Sequence, residues 1–172
     1  MRYHHLISVL YSIDNIFLNN STKEHAYRVE SYRSAGAISA GTAQQLRCYF
    51  VSKCNFPKQP ISSDSNKKFD IRDVSDAQFL SKATPNTLQI YQEVIEQVLE
   101  RYGPVMELFE VEGTRERRIV VGYKTGGTKN FFSALSDLYH YYGLYSKRKY
   151  VEQFSNGVTI ICRPSLYLFI TY

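Results

Sequence analysis

The side chains of this chain that could do chemistry are dispersed rather than gathered into a motif. Asp137 and His140 stand at i and i+3 in SDLYHYY, where a helix would bring them together. No nucleophile accompanies them at a readable spacing, and both flank an apolar stripe, which places them at the surface. Glu110 and Glu112 alternate about Val111, so a strand puts them on one face, as paired acid–base carboxylates require. With Arg115 and Arg117 close by, they read instead as surface ion-pairing groups. His4 and His5 are adjacent and diverge in either a strand or a helix. Cys48, Cys54 and Cys162 are far apart with no CxxC, which points to reduced thiols and not to a zinc site or a disulfide framework. Thr125-Gly126-Gly127-Thr128 precedes a helix, where orphan N–H groups can hold an anion. It lacks the GK[ST] of a phosphate loop and the spacing of a dinucleotide fingerprint, and reads as a turn with Thr128 as helix cap. No catalytic, cofactor-binding or metal-ligating residue is assigned.

The basic residues are more informative. The net charge is +5 over 172 residues, which permits anionic partners without demanding them. Two groups stand out, Arg115, Arg117 and Arg118 in one place and Lys147, Arg148 and Lys149 in another, with Lys53 and Lys58 further upstream. Whether they form one site depends on the elements that carry them.

His25–Arg33 alternates as a strand does, and Leu46–Val51 is a core strand. Residues 52–74 form a long polar connection. Ser75–Lys82 reads as a short helix with Ser75 and Gln78 in capping-box spacing. A long helix follows, with Thr84 as N-cap and Pro85 in the first position. Its stripe is Leu88, Tyr91, Ile95, Val98 and Tyr102, widened by Val94 and Leu99, and Gly103-Pro104 ends it. Val105–Glu112 and Arg118–Lys124 make a hairpin. A second helix from Thr128 carries Phe131, Leu135, Leu138 and Tyr142 on its apolar side and stops at Gly143. Tyr150–Phe154 and Val158–Cys162 are strand material about Asn156-Gly157, a type I′ turn signal.

From Leu46 onward this order is βαββαβ, which predicts an α+β, ferredoxin-like sandwich. Its antiparallel sheet takes the order 4-1-3-2 with both helices on one face, and the His25–Arg33 strand adds at an edge. That topology brings the end of the first strand, the hairpin and the turn before the last strand to one end of the sheet. Lys53, Lys58, Arg115, Arg117, Arg118, Lys147, Arg148 and Lys149 then form a basic end, either an anion- or partner-binding site or plain solvated loop charge.

RNA-recognition modules share this topology, but their third strand carries aromatic stacking residues in a K/R-G-F/Y-G/A-F-V-x-F/Y pattern. The corresponding RRIVVGYK has valine where the rings belong, leaving only Phe50 and Tyr123 as platforms. A stand-alone small-ligand or RNA-binding module is therefore the alternative reading, and an inert fragment with an exposed hydrophobic edge is another. Leu6–Leu18 is too short to span a bilayer and is broken by Asp14 and Asn15. No membrane association is expected, and the location reads as intracellular.

Three blocks go beyond pattern: QQLRCYFVSKCNF (Gln44–Phe56), TPNTLQIYQEVIEQVLERYGPVMELFE (Thr84–Glu110) and FFSALSDLYHYYGLYSKRKYVEQFSNGVT (Phe131–Thr159). With HAYRVESYRS, they resemble the N-terminal region of the fungal NAD-specific glutamate dehydrogenases. The resemblance covers about residues 24–161. It implies an ACT-like regulatory domain there, an irregular extension over 1–23, and an aberrant or irregular tail over 162–172, such as a translated intron, a wrong exon boundary or a real short isoform would give. It implies a fragment lacking the catalytic and dinucleotide-binding domains, with NAD used by the parent enzyme and no cofactor in this part. The parent reaction turns L-glutamate, NAD and water into 2-oxoglutarate, ammonium and NADH. The implied partners are the other domains of the parent enzyme, a further copy of the chain, or a small-molecule effector. The implied compartment is cytoplasm or mitochondrion.

Overall fold

The computed structural model describes residues 9–34, 46–58, 69–111, 113, 116–144, 146 and 148–165. Its centre is a six-stranded antiparallel sheet in the order β2-β1-β5-β6-β4-β3. The strands are β1 (Tyr27–Arg33), β2 (Arg47–Lys53), β3 (Val105–Glu110), β4 (Arg117–Lys124), β5 (Arg148–Gln153) and β6 (Val158–Ser165). The helices are α1 (residues 9–18, of which Asp14–Leu18 is a π-helical turn), α2 (Ala77–Lys82), α3 (Pro85–Glu100) and α4 (Phe131–Tyr141).

The α+β class with an antiparallel sheet is as the sequence implies, but the arrangement differs in two ways. The Leu46 strand, expected in the middle of the sheet, is its edge: β2 pairs with β1, and β1 in turn pairs with β5. The central place is taken by β6, between β5 and β4. Read from β5 to β3, the strands fill the positions 4-1-3-2 with the C-terminal strand standing where the first was expected. A hairpin is the reason. The turn at Asn156-Gly157 is short enough to fold β6 straight back onto β5. Gly157 supplies the left-handed residue (φ +80°), while Asn156 does not have positive φ, so the turn is not type I′.

The second difference is that the helices lie on opposite faces. Tyr91, Val94, Ile95 and Val98 of α3 pack with Val120, Ile160 and Cys162. Phe132, Leu135 and Tyr139 of α4 pack with Val121, Ile161 and Val151. Residues 120 and 121, like 160 and 161, point to opposite sides of the sheet and are all buried. The central strands IVVGY and VTIIC are therefore apolar on both faces, and each face needs its own cover. Gly122 sets the α3 side: a Cβ there would stand 2.5 Å from Val94 Cγ1 and 3.0 Å from Val98 Cγ2, so only glycine admits the helix so close.

The caps divide in the same way. Thr84 caps α3, accepting from Thr87 N at 3.2 Å, with Pro85 in the first position as expected. The short α2 is capped by Asp76, not Ser75. Thr128 does not cap α4. The buried Asp14 carboxylate of α1 does, accepting from Ser133 N at 2.7 Å and Phe132 N at 3.3 Å. Asn19 and Asn130 exchange hydrogen bonds beside it, with Asn130 left-handed (φ 55°). Residues 9–18, expected as irregular, are thus a helix that buries Leu10, Ile13 and Leu18 and completes α4. At the other end of the chain β6 continues past Ile161, with Cys162, Arg163 and Pro164 in register with Val120, Ile119 and Arg118.

Candidate functional site

Antiparallel pairing brings the starts of β2, β4 and β5 and the ends of β1, β3 and β6 to one end of the sheet. Of the residues expected at a basic end, Arg117, Arg118, Arg148 and Lys149 are there. Lys53 is at the opposite end, in register with Tyr27, because β2 is an edge strand running the other way. Arg115 and Lys147 lie outside the described residues. Alternation then splits the group between the faces.

Arg118 and Arg148 point to the α3 face and line a cavity of about 420 Å³ with Arg28, Lys82, Glu30 and Glu152. Its wall includes Tyr32, Tyr91 and Tyr150. Arg28 is almost wholly buried and meets Glu152 in a two-point pair, Nε to Oε2 at 3.1 Å and Nη2 to Oε1 at 2.9 Å. Its Nη2 also lies 2.8 Å from Glu30 Oε1. Lys82 Nζ and Tyr32 Oη donate to the Glu30 carboxylate at 3.1 and 2.8 Å. Burial pushes the Glu152 carboxyl up to about 7, with the Arg28 guanidinium pulling the other way. Arg148 stands over the Tyr32 ring at 5.4 Å, and Arg118 donates to Glu116 at 2.7 Å. This is a lined, charged recess with cations and carboxylates both available. By charge it can accommodate a group carrying both charges, or an anion at the Arg118–Arg148 rim.

Lys149 points the other way and is not at the surface. It is 7% exposed on the α4 face, together with Arg163, which is 1% exposed. Arg117 is exposed and pairs with Glu110 at 2.8 Å, the surface ion pair expected of that carboxylate. Glu112 lies outside the described residues. Asp137 and His140 are exposed on α4. The cysteines are unpaired with one another, and burial pushes the Cys162 and Cys54 thiols up to about 11 and about 12, which suppresses thiolate chemistry. Tyr123, one of the two candidate stacking platforms, is buried against Phe131 with ring centroids 4.5 Å apart. Helices cover both faces of β4, so the open sheet face of an RNA-recognition module is missing there.

Sequence reasoning missed Arg28, Glu152 and Arg163. The signal for Arg28 and Glu152 was weak but present, a charged residue inside each of two otherwise strand-like runs. Arg163 sits two residues past Ile161, where the resemblance runs out.

A family model for NAD-specific glutamate dehydrogenase, second domain, matches residues 8–170. The NAD-specific glutamate dehydrogenase of Neurospora crassa is 45% identical over 159 residues, covering 91% of this chain and 14% of that protein. The probable NAD-specific glutamate dehydrogenase of Schizosaccharomyces pombe is 47% identical over 154 residues, covering 85% and 14%. Glutamate dehydrogenase 2 of Dictyostelium discoideum is 36% identical over 151 residues, covering 84% and 14%. The chain therefore spans about a seventh of the length of these relatives. No solved structure matches it.

Proposed function

The chain belongs to the family formed by the second domain of NAD-specific glutamate dehydrogenases, and from that premise we propose that it is a regulatory or scaffold segment of such an enzyme, without dehydrogenase activity of its own. The observation that carries this reading is the family match over residues 8–170, set against relatives about seven times longer. In the parent enzyme, L-glutamate, NAD and water would be converted to 2-oxoglutarate, ammonium and NADH by other parts of the polypeptide. NAD would bind there and not here.

Two features support a contact or sensing role. The cavity at Arg28, Arg118 and Arg148 is of a size and charge suited to a small effector. The β3 edge leaves Met106 and Leu108 more than half exposed, an apolar strip suited to a neighbouring domain or a second copy. Among the described residues no helix is long and apolar enough to cross a membrane. The cytoplasm or the mitochondrion is the proposed location.

The test is direct. The purified 172-residue chain, given glutamate and NAD, should form no NADH above the buffer rate; glutamate-dependent NADH formation would refute the reading. In the intact parent enzyme, Arg118→Glu with Arg148→Glu should alter effector response or subunit assembly. Unchanged sedimentation and unchanged regulation would remove the role assigned to that cavity.

A further inference from the structure

We propose that Arg47, Lys149 and Arg163, clustered between the sheet and α4, form a binding site for a small oxyanion of carboxylate or sulfate size. The three come from β2, β5 and β6.

The geometry is that of an unfilled charge. Lys149 Nζ donates to Ser136 Oγ at 3.2 Å, and Arg163 Nη2 donates to the same oxygen. One neutral hydroxyl on α4 is thus shared by two buried nitrogen donors, an amine and a guanidinium. Arg47 donates to Ser31 Oγ at 3.1 Å and to the Ser146 carbonyl at 2.8 Å, again to neutral acceptors. Among the described residues none of the three is in a salt bridge. Two buried donors are left over as well: Arg163 Nε and Tyr49 Oη have no hydrogen-bond partner among the described residues. A buried donor without an acceptor is costly, and a charged one more so.

Residues 35–45, which join β1 to β2, contain no Asp or Glu, and neither do residues 166–172, which follow β6. The acids on the α4 side are Asp137, which is exposed, and Asp14, whose carboxylate is taken up by Phe132 N and Ser133 N at the start of α4. The groups that face Lys149 are Arg163 from β6, Arg47 from β2, Ser31 from β1, and Ser136, Phe132 and Asp137 from α4, with Tyr49 and Tyr139 beside Arg163. The rings of Phe132 and Tyr139 take one side of the cluster, with the Arg163 guanidinium 4.4 Å from the Tyr139 centroid. Arg47 is half-buried and marks the solvent side.

The opposite face holds a second buried arginine for comparison. Arg28 is given two carboxylates, Glu30 and Glu152, though its Nη1 is left without a hydrogen-bond partner. Arg163, equally buried, is given none among the described residues. An oxyanion accepting from Lys149 Nζ, Arg163 Nε and Tyr49 Oη would satisfy the donors left over in this cluster. Burial and the two arginines push the Lys149 ammonium down to about 6, so near neutral pH it is largely unprotonated until an anion arrives. Binding is therefore coupled to uptake of a proton at Nζ.

Calorimetric titration of the 172-residue chain with sulfate, and separately with malonate, tests this at pH 7 in two buffers of different ionisation enthalpy. The expected result is saturable one-to-one binding of at least one of them, with close to one proton taken up per anion. Affinity should fall by about tenfold per pH unit above pH 7. Which anion binds tighter separates tetrahedral from planar recognition. Lys149→Met removes a buried amine without opening a cavity, so it should fold at least as well while losing at least about tenfold in affinity and all proton uptake. Arg117→Glu, at an exposed residue outside the cluster, should bind as the parent chain does. Absence of saturable binding for both anions, or binding unchanged in Lys149→Met, would overturn the proposal.

Discussion

The two faces of one sheet treat buried positive charge in opposite ways. On the α3 face, Arg28 is enclosed by Glu30 and Glu152, and the network reaches a charged cavity through Lys82, Arg118 and Arg148. On the α4 face, Lys149 and Arg163 share a serine hydroxyl and rest on aromatic rings. Adjacent residues of β5 go to the two sides, Glu152 to one and Lys149 and Val151 to the other. A single strand therefore carries both a neutralised and an unneutralised cluster. The first arrangement is closed, since removing any member strands another. The second is open, since its cost is already present and an added anion would relieve it.

The largest expected effect comes from breaking the closed side. Glu152→Leu leaves Arg28 with Glu30 as its one carboxylate, and should cost about 3 kcal/mol in a denaturant titration near neutral pH. A loss under about 1 kcal/mol would show that Glu30 and Lys82 suffice, and that the two faces differ less than their ion pairs indicate.

The pH dependence of stability sharpens the contrast, because the two faces contribute with opposite sign. Glu152 is raised from 4.5 to about 7 in the folded chain, so its contribution is fully present below 4.5 and is lost as pH rises through 7. Lys149 is lowered from 10.5 to about 6, so its contribution is fully present above 10.5 and is lost as pH falls through 6. Between pH 7 and 9 the Lys149 contribution should dominate, with stability rising by up to about 1.4 kcal/mol per pH unit. Lys149→Met should flatten that rise and leave the acid limb in place. An unchanged slope in the variant would assign the rise elsewhere. The smallest effect belongs to Arg117→Ala. Its pair with Glu110 is exposed, and the change should shift stability by less than about 0.5 kcal/mol, measured at low and high salt.

Much of this was legible in the chain. The α3 stripe, its Thr84-Pro85 start, the β3–β4 hairpin and the Asn156-Gly157 reversal are local, and each is written in adjacent residues. The resemblance in three blocks identified the family. The basic residues were legible as a group but not as two sites, because a two-residue alternation fixes opposite faces without saying what covers each one. The assignment of both helices to one face failed although its refutation was in plain view. IVVGY and VTIIC have no charged alternate, which is the mark of strands buried on both sides.

The sequence by itself determined most of the elements, the Thr84-Pro85 start of α3, and the membership in a family. Tertiary structure decided the strand order, the splitting of the basic residues and the cap of α4 by Asp14, more than a hundred residues away. It also decided the meaning of Lys149. In the sequence it is the third charge of a Lys-Arg-Lys turn, indistinguishable from Arg148. In the fold the pleat turns Arg148 toward a wet cavity and Lys149 under Phe132, where the charge is no longer solvated. Periodicity can state that two neighbours diverge; only the packing of the two helices fixes which of them keeps water.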